Sequence, residues 1–157
     1  MAISCQTLII IESMKTVISL FFLLLPLMQG CGFVYEQHLT GNYYLIAVDT
    51  KDDMDVCYHR QKDDNAPYTG ITGANVYAVG YDDEFILVKA YRALRDSMGV
   101  SLQRYDKNTT EYYIIPVNNT QEAWEAQENK FGAFSKKDFE AKRKELGVPD
   151  DITFKRL

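Results

Sequence analysis

One cysteine and two histidines are the residues best suited to metal binding or nucleophilic chemistry. Cys57 and His59 are two positions apart in a stretch typical of a β-strand, so both side chains point to one face. With His38 they would make a three-ligand metal set, and by themselves a thiol–imidazole pair for covalent catalysis. Nothing in the sequence places His38 beside the pair, and Cys57 is not at a helix start that would lower its pKa. We therefore favour a buried free cysteine and a surface histidine, with no catalytic, cofactor or metal site.

Three acidic clusters offer carboxylates for calcium binding or hydrolysis, at residues 52–55, 63–64 and 82–84. None follows the EF-hand pattern, and all lie in predicted turns, where Asp side chains bond to nearby backbone. No spacing selects a pair for acid–base catalysis. We interpret them as turn residues and keep a hydrolase using these carboxylates as the alternative.

The composition narrows the classes of function further. The chain has 157 residues and a formal net charge of −5, which argues against nucleic acid because phosphate binding needs a basic surface. The sequence has no G-x-S-x-G, P-loop, G-x-G-x-x-G or H-E-x-x-H motif.

A positively charged start and a short apolar run precede the globular part. Lys15 is followed by twelve mostly apolar residues over 17–28. A membrane-spanning helix needs about 20 residues, so this run is typical of a signal-peptide core. It ends in Leu27-Met28-Gln29-Gly30-Cys31.

That ending resembles a lipobox, the motif read by the lipoprotein signal peptidase. The resemblance implies a signal peptide over residues 14–30, cleavage before Cys31 and a diacylglyceryl group on the Cys31 thiol. Such a group would anchor the protein to the membrane through two acyl chains. Met28 and Gln29 depart from the pattern, which prefers an aliphatic residue and then a small one.

Two further expectations concern this region. Gly30-Cys31-Gly32 also suits ordinary signal peptidase, so cleavage after Gly32 would release a soluble secreted protein. Residues 1–13 precede a complete signal peptide. We interpret them as an extension that is not translated, because translation would start at Met14. Residues 31–157 then form a single mature domain, held close to the membrane by a short tether.

Aromatic and β-branched stretches predict the strands of this domain. They cover 33–39, 42–49, 54–60, 75–79, 85–91 and 111–117, and 152–154 could add another. The stretch from Phe85 could instead start a helix that ends at Gly99, but the branched and aromatic residues 85–88 favour a strand. Residues 61–70 are predicted to form a loop.

Two helices are predicted after the strands. Thr120 would cap the first over 121–131, with Trp124 and Phe131 on one face. Ser135 would cap the second over 136–146, which Gly147 and Pro149 would end. Strands followed by helices indicate the α+β class: an antiparallel meander of about five to seven strands with two C-terminal helices packed on it.

In element order the chain resembles a group of short bacterial lipoproteins of unknown function. The resemblance lies in the Cys31 start, the strands at 42–45 and 112–115, the hairpin at 76–88 and the ending from Phe134 to Pro149. It implies an envelope address and a small α+β domain, and it brings no catalytic or ligand-binding residues.

Together these observations predict a lipid-anchored cell-envelope protein, periplasmic or on the outer surface, with a non-catalytic binding domain. Tyrosine is unusually frequent in this chain, with eleven residues. Tyrosines that face outward would mark a surface of the sheet that binds a protein or glycan partner. A purely structural or stress-related surface protein is the third reading.

Overall fold

The structure, a computed structural model, describes residues 32–60, 67–120 and 122–157. Its first part is an antiparallel sheet, sheet 1, with the strand order β1-β2-β3-β4. These strands are β1 (Tyr35–Thr40), β2 (Tyr43–Ala47), β3 (Asp55–Tyr58) and β4 (Thr69–Gly70), with a 3-10 turn at Lys51–Asp53 between β2 and β3.

The second part is another antiparallel sheet, sheet 2, with the order β8-β7-β6-β5-β9. Its strands are β5 (Val76–Tyr81), β6 (Phe85–Arg95), β7 (Ser101–Pro116), β8 (Phe131–Phe134) and β9 (Lys155–Arg156). Helix α1 (Ala123–Glu128) precedes β8, and helix α2 (Lys136–Glu145) follows it.

The central part of sheet 2 is buried on both faces. Successive residues of its strands point in opposite directions, so they join two different clusters. Ile86, Val88 and Ile115 join the main core, which also contains side chains from sheet 1 such as Leu45 and Val56. The intervening residues of the same strands join a second cluster with α2: Leu87, Ile114, Phe139, Val148 and Ile152. Burial on both faces explains why these strands have continuous apolar runs.

The predicted α+β class is confirmed, but the arrangement differs from one meander of five to seven strands. The described residues form nine strands in two sheets. Residues 69–70, predicted as loop, and residues 131–134, of which only the first was predicted as helix, pair as short strands. The last strand falls at 155–156 rather than 152–154. These strands are four residues or fewer, too short for an alternating pattern to reveal them.

The second helix was predicted almost residue for residue, and the first was not. Ser135 caps α2, and its hydroxyl accepts a hydrogen bond from the Asp138 N–H. For α1 the cap is Glu122 rather than Thr120, and the helix ends before Phe131. Phe131 belongs to β8, and Trp124 is 59% exposed, so these two residues do not form a shared buried face.

Candidate functional site

The outer face of sheet 1 brings together the three residues considered for metal binding or catalysis. His38 on β1 pairs with Tyr44 on β2, and Tyr44 pairs with Cys57 on β3. His38, Tyr44 and Cys57 therefore form one row across the sheet. His59 follows β3, and its ring lies 6.1 Å from the Tyr44 ring. The structure therefore places His38 on the same face as Cys57 and His59, which the sequence did not indicate.

Aromatic contacts fill this surface, which we name the aromatic face (Phe33, His38, Tyr44, His59 and Tyr68). The Tyr44 ring contacts the His38 ring at 5.0 Å and the Tyr68 ring at 5.4 Å, and Tyr68 stacks on His59 at 4.6 Å. Phe33 meets Tyr68 edge-on at 5.2 Å. The rings pack on one another, an arrangement that stabilises the face.

The metal hypothesis has no support in this geometry. Among the described residues, no group of three or more His, Cys, Asp or Glu could hold a metal ion. His38 Nε2 instead lies 2.7 Å from the Gly41 carbonyl oxygen. The Tyr44 ring contacts both imidazoles, so the row of residues is an aromatic array rather than a ligand set.

Cys57 is a poor nucleophile in its setting. Its thiol is free and buried. Burial, and next the nearby Asp55 carboxylate, raise the pKa of Cys57 to about 12. Because the thiolate is the reactive form, a thiol with this pKa is protonated and unreactive at neutral pH.

Among the described residues of the acidic clusters, Asp55 is the one that lies in a strand rather than a turn. It is on β3, two residues from Cys57, and burial raises its pKa above the ordinary value despite hydrogen bonds from Thr72. The Thr72 N–H and hydroxyl both donate to Asp55 Oδ1, at 3.0 and 2.7 Å. The turn interpretation was therefore wrong for Asp55, whose carboxylate ties β3 to the segment after β4.

A pocket of about 490 Å³ lies beside Asp55 and Cys57 on the aromatic face, and Asp53 also lines it. A hydrolase using loop carboxylates needs two such groups that converge with separated roles. The Asp53 carboxylate instead accepts hydrogen bonds from the Thr50 N–H and hydroxyl, at 3.2 and 2.9 Å. Asp53 thus holds the 3-10 turn, and the pocket contains one buried acid rather than a catalytic pair.

The raised pKa of Asp55 predicts a pH-dependent stability. The folded state binds this proton more tightly than the unfolded state, so the free energy of unfolding falls as pH rises through the raised pKa. Asp55→Asn cannot ionise and keeps an oxygen that accepts both Thr72 hydrogen bonds. We expect the Tm of the variant, relative to wild type, to be higher at about pH 8 than at about pH 4. Thermal unfolding followed by circular dichroism at both pH values tests this, and a Tm difference independent of pH would contradict it.

The other acidic clusters behave as turn residues where they are described. Asp82 Oδ1 accepts hydrogen bonds from the backbone N–H groups of Glu84 and Phe85, at 2.8 and 2.7 Å, and so closes the β5–β6 turn. Asp63 and Asp64 lie outside the described residues.

The tyrosines are divided between core and surface. Tyr43 and Tyr58 are fully buried in the main core, and Tyr81 is 40% exposed. Tyr77 and Tyr91 stack on each other with ring centroids 4.4 Å apart.

A long β-hairpin is the functional candidate that the sequence did not reveal. β6 and β7 continue past their neighbouring strands, and we name residues 92–105 the arm. β5 pairs with β6 only as far as Ala90, and β8 pairs with β7 at Tyr112 and Ile114. Leu94, Met98, Val100 and Leu102 are exposed on the arm, Met98 by 83%.

Hydrogen bonds from Asp96 order the tip of the arm. Asp96 Oδ1 accepts from the N–H groups of Met98 and Val100, both at 2.9 Å. The Asp96 N–H donates to the Val100 carbonyl at 2.9 Å, and Gly99 adopts a φ of 83°, which glycine adopts without strain. Met98 and Val100 therefore project from a defined turn, and Leu94 and Leu102 lie on the strands beside it.

The predicted extension, signal peptide and lipidated Cys31 all lie outside the described residues. Within the described part of the chain, no helix is both long enough and apolar enough to cross a membrane.

The fold and its surfaces define a small two-sheet α+β domain with a projecting hairpin arm. The chain belongs to the family described as "Protein of unknown function (DUF3997)", whose model matches residues 40–157. No curated protein and no solved structure matches the chain. The expected membership of a family of unknown function is thereby confirmed.

Proposed function

We propose that the chain is a lipid-anchored cell-envelope protein that binds a protein partner through the arm and catalyses no reaction. The observation that carries the proposal is the exposure of Leu94, Met98, Val100 and Leu102 on an ordered hairpin end. Apolar side chains clustered on a surface mark an interaction site. Because the tip is held by Asp96, binding would cost little ordering entropy.

The chemistry of the arm favours a protein partner over a lipid surface. Arg92, Arg95 and Arg104 accompany the aliphatic side chains, and Met and Arg are enriched in protein interfaces. Tyr105 at the base of the arm is its one aromatic residue, and residues 94–102 contain no Trp, Tyr or Phe, the side chains that favour the membrane interface. The partner surface would then be an apolar groove with an acidic rim, and the exposed strand edges of the arm could pair with a strand of it.

Exposed apolar residues close to position 31 support an anchor at Cys31. The Val34 N–H donates to the Ala47 carbonyl at 2.9 Å, so a residue three positions after Cys31 is held against sheet 1. Phe33, Val34 and Val48 are exposed there. Acyl chains on Cys31 would hold this apolar edge against the bilayer in the periplasm or on the outer surface, whereas cleavage after Gly32 would give a soluble protein with the same arm.

A photo-crosslinking amino acid at Met98 tests the role of the arm in cells of the source bacterium. We expect one discrete adduct with a protein, and we expect the purified partner to bind the wild-type chain. Val100→Asp, which puts a charge among the apolar side chains, should reduce this affinity at least about tenfold. The same crosslinker at Lys137, an exposed position on α2, is the matched control and should give no such adduct.

Two outcomes would overturn the proposal. Adducts with lipid rather than protein would assign the arm to the membrane. A partner that binds wild type and Val100→Asp equally well would place the interface elsewhere on the domain.

A further inference from the structure

A cleft between the two sheets concentrates positive charge in an otherwise acidic chain. Its volume is about 280 Å³, and its wall combines three tyrosines with three cations: Tyr35, Tyr77, Tyr91, Lys51, Lys107 and Arg156. Asp52 is the one carboxylate side chain among the described wall residues, and its Oδ2 lies 3.2 Å from Lys107 Nζ. The side chains of the wall thus carry three positive charges and one negative charge, whereas the side chains of the whole chain sum to −5.

The tyrosine rings provide a flat surface with cations beside it. Tyr77 and Tyr91 stack with an interplanar angle of 21°, and the Tyr77 hydroxyl is 2.7 Å from Thr110 Oγ1. Lys107 Nζ lies 5.9 Å from the centre of the Tyr91 ring, and Lys51 Nζ lies 5.8 Å from that of Tyr35. Both lysines are exposed, and their ammonium groups lie within about 6 Å of the ring centres at the mouth of the cleft.

Asn75, also in the wall, is the independent sign of a ligand. The residue is only 3% exposed, and its buried Nδ2 has no hydrogen-bond partner in the described structure. Its backbone is in the left-handed region, with φ at 80°. Leaving a buried amide unpaired is costly, and backbone strain of this kind clusters at binding sites.

The backbone around Asn75 explains how this position is held. The Asn75 carbonyl accepts a hydrogen bond from the Tyr91 N–H at 3.1 Å, and the next N–H, that of Val76, donates to the Met54 carbonyl at 2.9 Å. The peptide group between Asn75 and Val76 is thus fixed where the two sheets meet.

We propose that this cleft binds a small phosphate-bearing saccharide or polyol. Phosphate oxygens would accept hydrogen bonds from Lys51, Lys107 and Arg156, because clustered ammonium and guanidinium groups are the usual phosphate ligands. A sugar hydroxyl would accept from Asn75 Nδ2, and the sugar ring would pack on the tyrosines. The cleft volume suits one such unit, either free or as the repeating unit of a surface polymer. The proposal does not depend on the arm or on its partner.

Isothermal titration of the full chain in detergent micelles with glucose 1-phosphate, in phosphate-free buffer, tests the site. We expect Lys51→Gln/Lys107→Gln to weaken binding at least about tenfold. The control Lys137→Gln/Lys144→Gln removes the same charge from exposed positions near α2's two ends, so binding should be unchanged. Glucose without phosphate should give no measurable binding.

Asn75→Gly adds a second readout, because glycine tolerates the left-handed backbone and lacks the amide. We expect weaker binding of glucose 1-phosphate with the circular dichroism spectrum unchanged. A glycerol phosphate polymer that binds more tightly than glucose 1-phosphate would identify a polymer ligand, and the reverse order would identify a free sugar phosphate. Equal weakening by the two double variants, or no heat with glucose 1-phosphate at millimolar concentration, would overturn the proposal.

Discussion

Replacing Cys31 with alanine is expected to abolish fatty-acid labelling of the chain completely. The thiol of Cys31 is the proposed attachment point of the diacylglyceryl group, and alanine offers no atom to acylate. Each buried CH₂ contributes about 0.8 kcal/mol and two acyl chains give stable anchoring, so the modification would dominate membrane attachment. Growth with an alkynyl fatty acid, followed by detection of the label on the purified chain, measures the effect.

The chain provides its own matched control for this experiment. Cys57→Ala removes a buried thiol of raised pKa that is not proposed to be acylated, so this variant should keep its label. Equal labelling of wild type and Cys31→Ala would refute lipidation at this residue. Mass spectrometry of the mature N-terminus separates the two processing routes, since a lipid-bearing Cys31 and an unmodified Phe33 differ in mass.

The sequence predicted the elements whose residues face a buried environment. β2, β5 and the first half of β6 are rich in aromatic and β-branched residues because they pack in the core, and burial is what such patterns report. Helix α2 has strong local boundary signals in Ser135 and Gly147, and both act as predicted. Local chemistry was sufficient for these elements.

The arm could not be predicted because its strands are solvent-exposed. The arm includes Arg92, Arg95 and Arg104, and strands whose side chains have little burial show no apolar alternation in sequence. Backbone hydrogen bonds between β6 and β7, and the turn at Asp96, hold the arm instead. The one local signal was Asp96 followed three residues later by Gly99, a spacing typical of turns.

The candidate sites depend on contacts between residues far apart in sequence. Lys51, Asn75 and Lys107 meet only because β5 of sheet 2 lies beside the turn before β3, and no motif links such positions. His38 and Cys57 lie in one row across sheet 1, on either side of Tyr44, because of the register of β1, β2 and β3. The residue pattern of each single strand does not fix that register. Only the Cys31 prediction rests on contiguous residues, which is why it was available from the sequence.

Replacing Phe139 with alanine is expected to lower the free energy of unfolding by about 3–5 kcal/mol. Phe139 is fully buried on α2, and its ring lies 5.1 Å from that of Tyr112 on β7 and 6.0 Å from that of Phe154. It is the central contact between the helix and the second cluster of sheet 2, so its loss removes buried apolar area and leaves a cavity that the rigid strands cannot close. Urea denaturation followed by circular dichroism gives the change.

Substitution of the neighbouring Glu140 is the control that separates a loss of core packing from a general loss of helix stability. Glu140 is exposed, and Glu140→Ala should change the free energy of unfolding by less than about 0.5 kcal/mol. Phe139→Leu, which keeps most of the apolar volume, should fall between the two, because the cost follows the size of the cavity. If Phe139→Ala instead cost no more than Glu140→Ala, α2 would unfold independently of the sheet. Phe139 packs against β7, and β7 continues into the arm. The same substitution therefore tests how firmly the base of the arm is held.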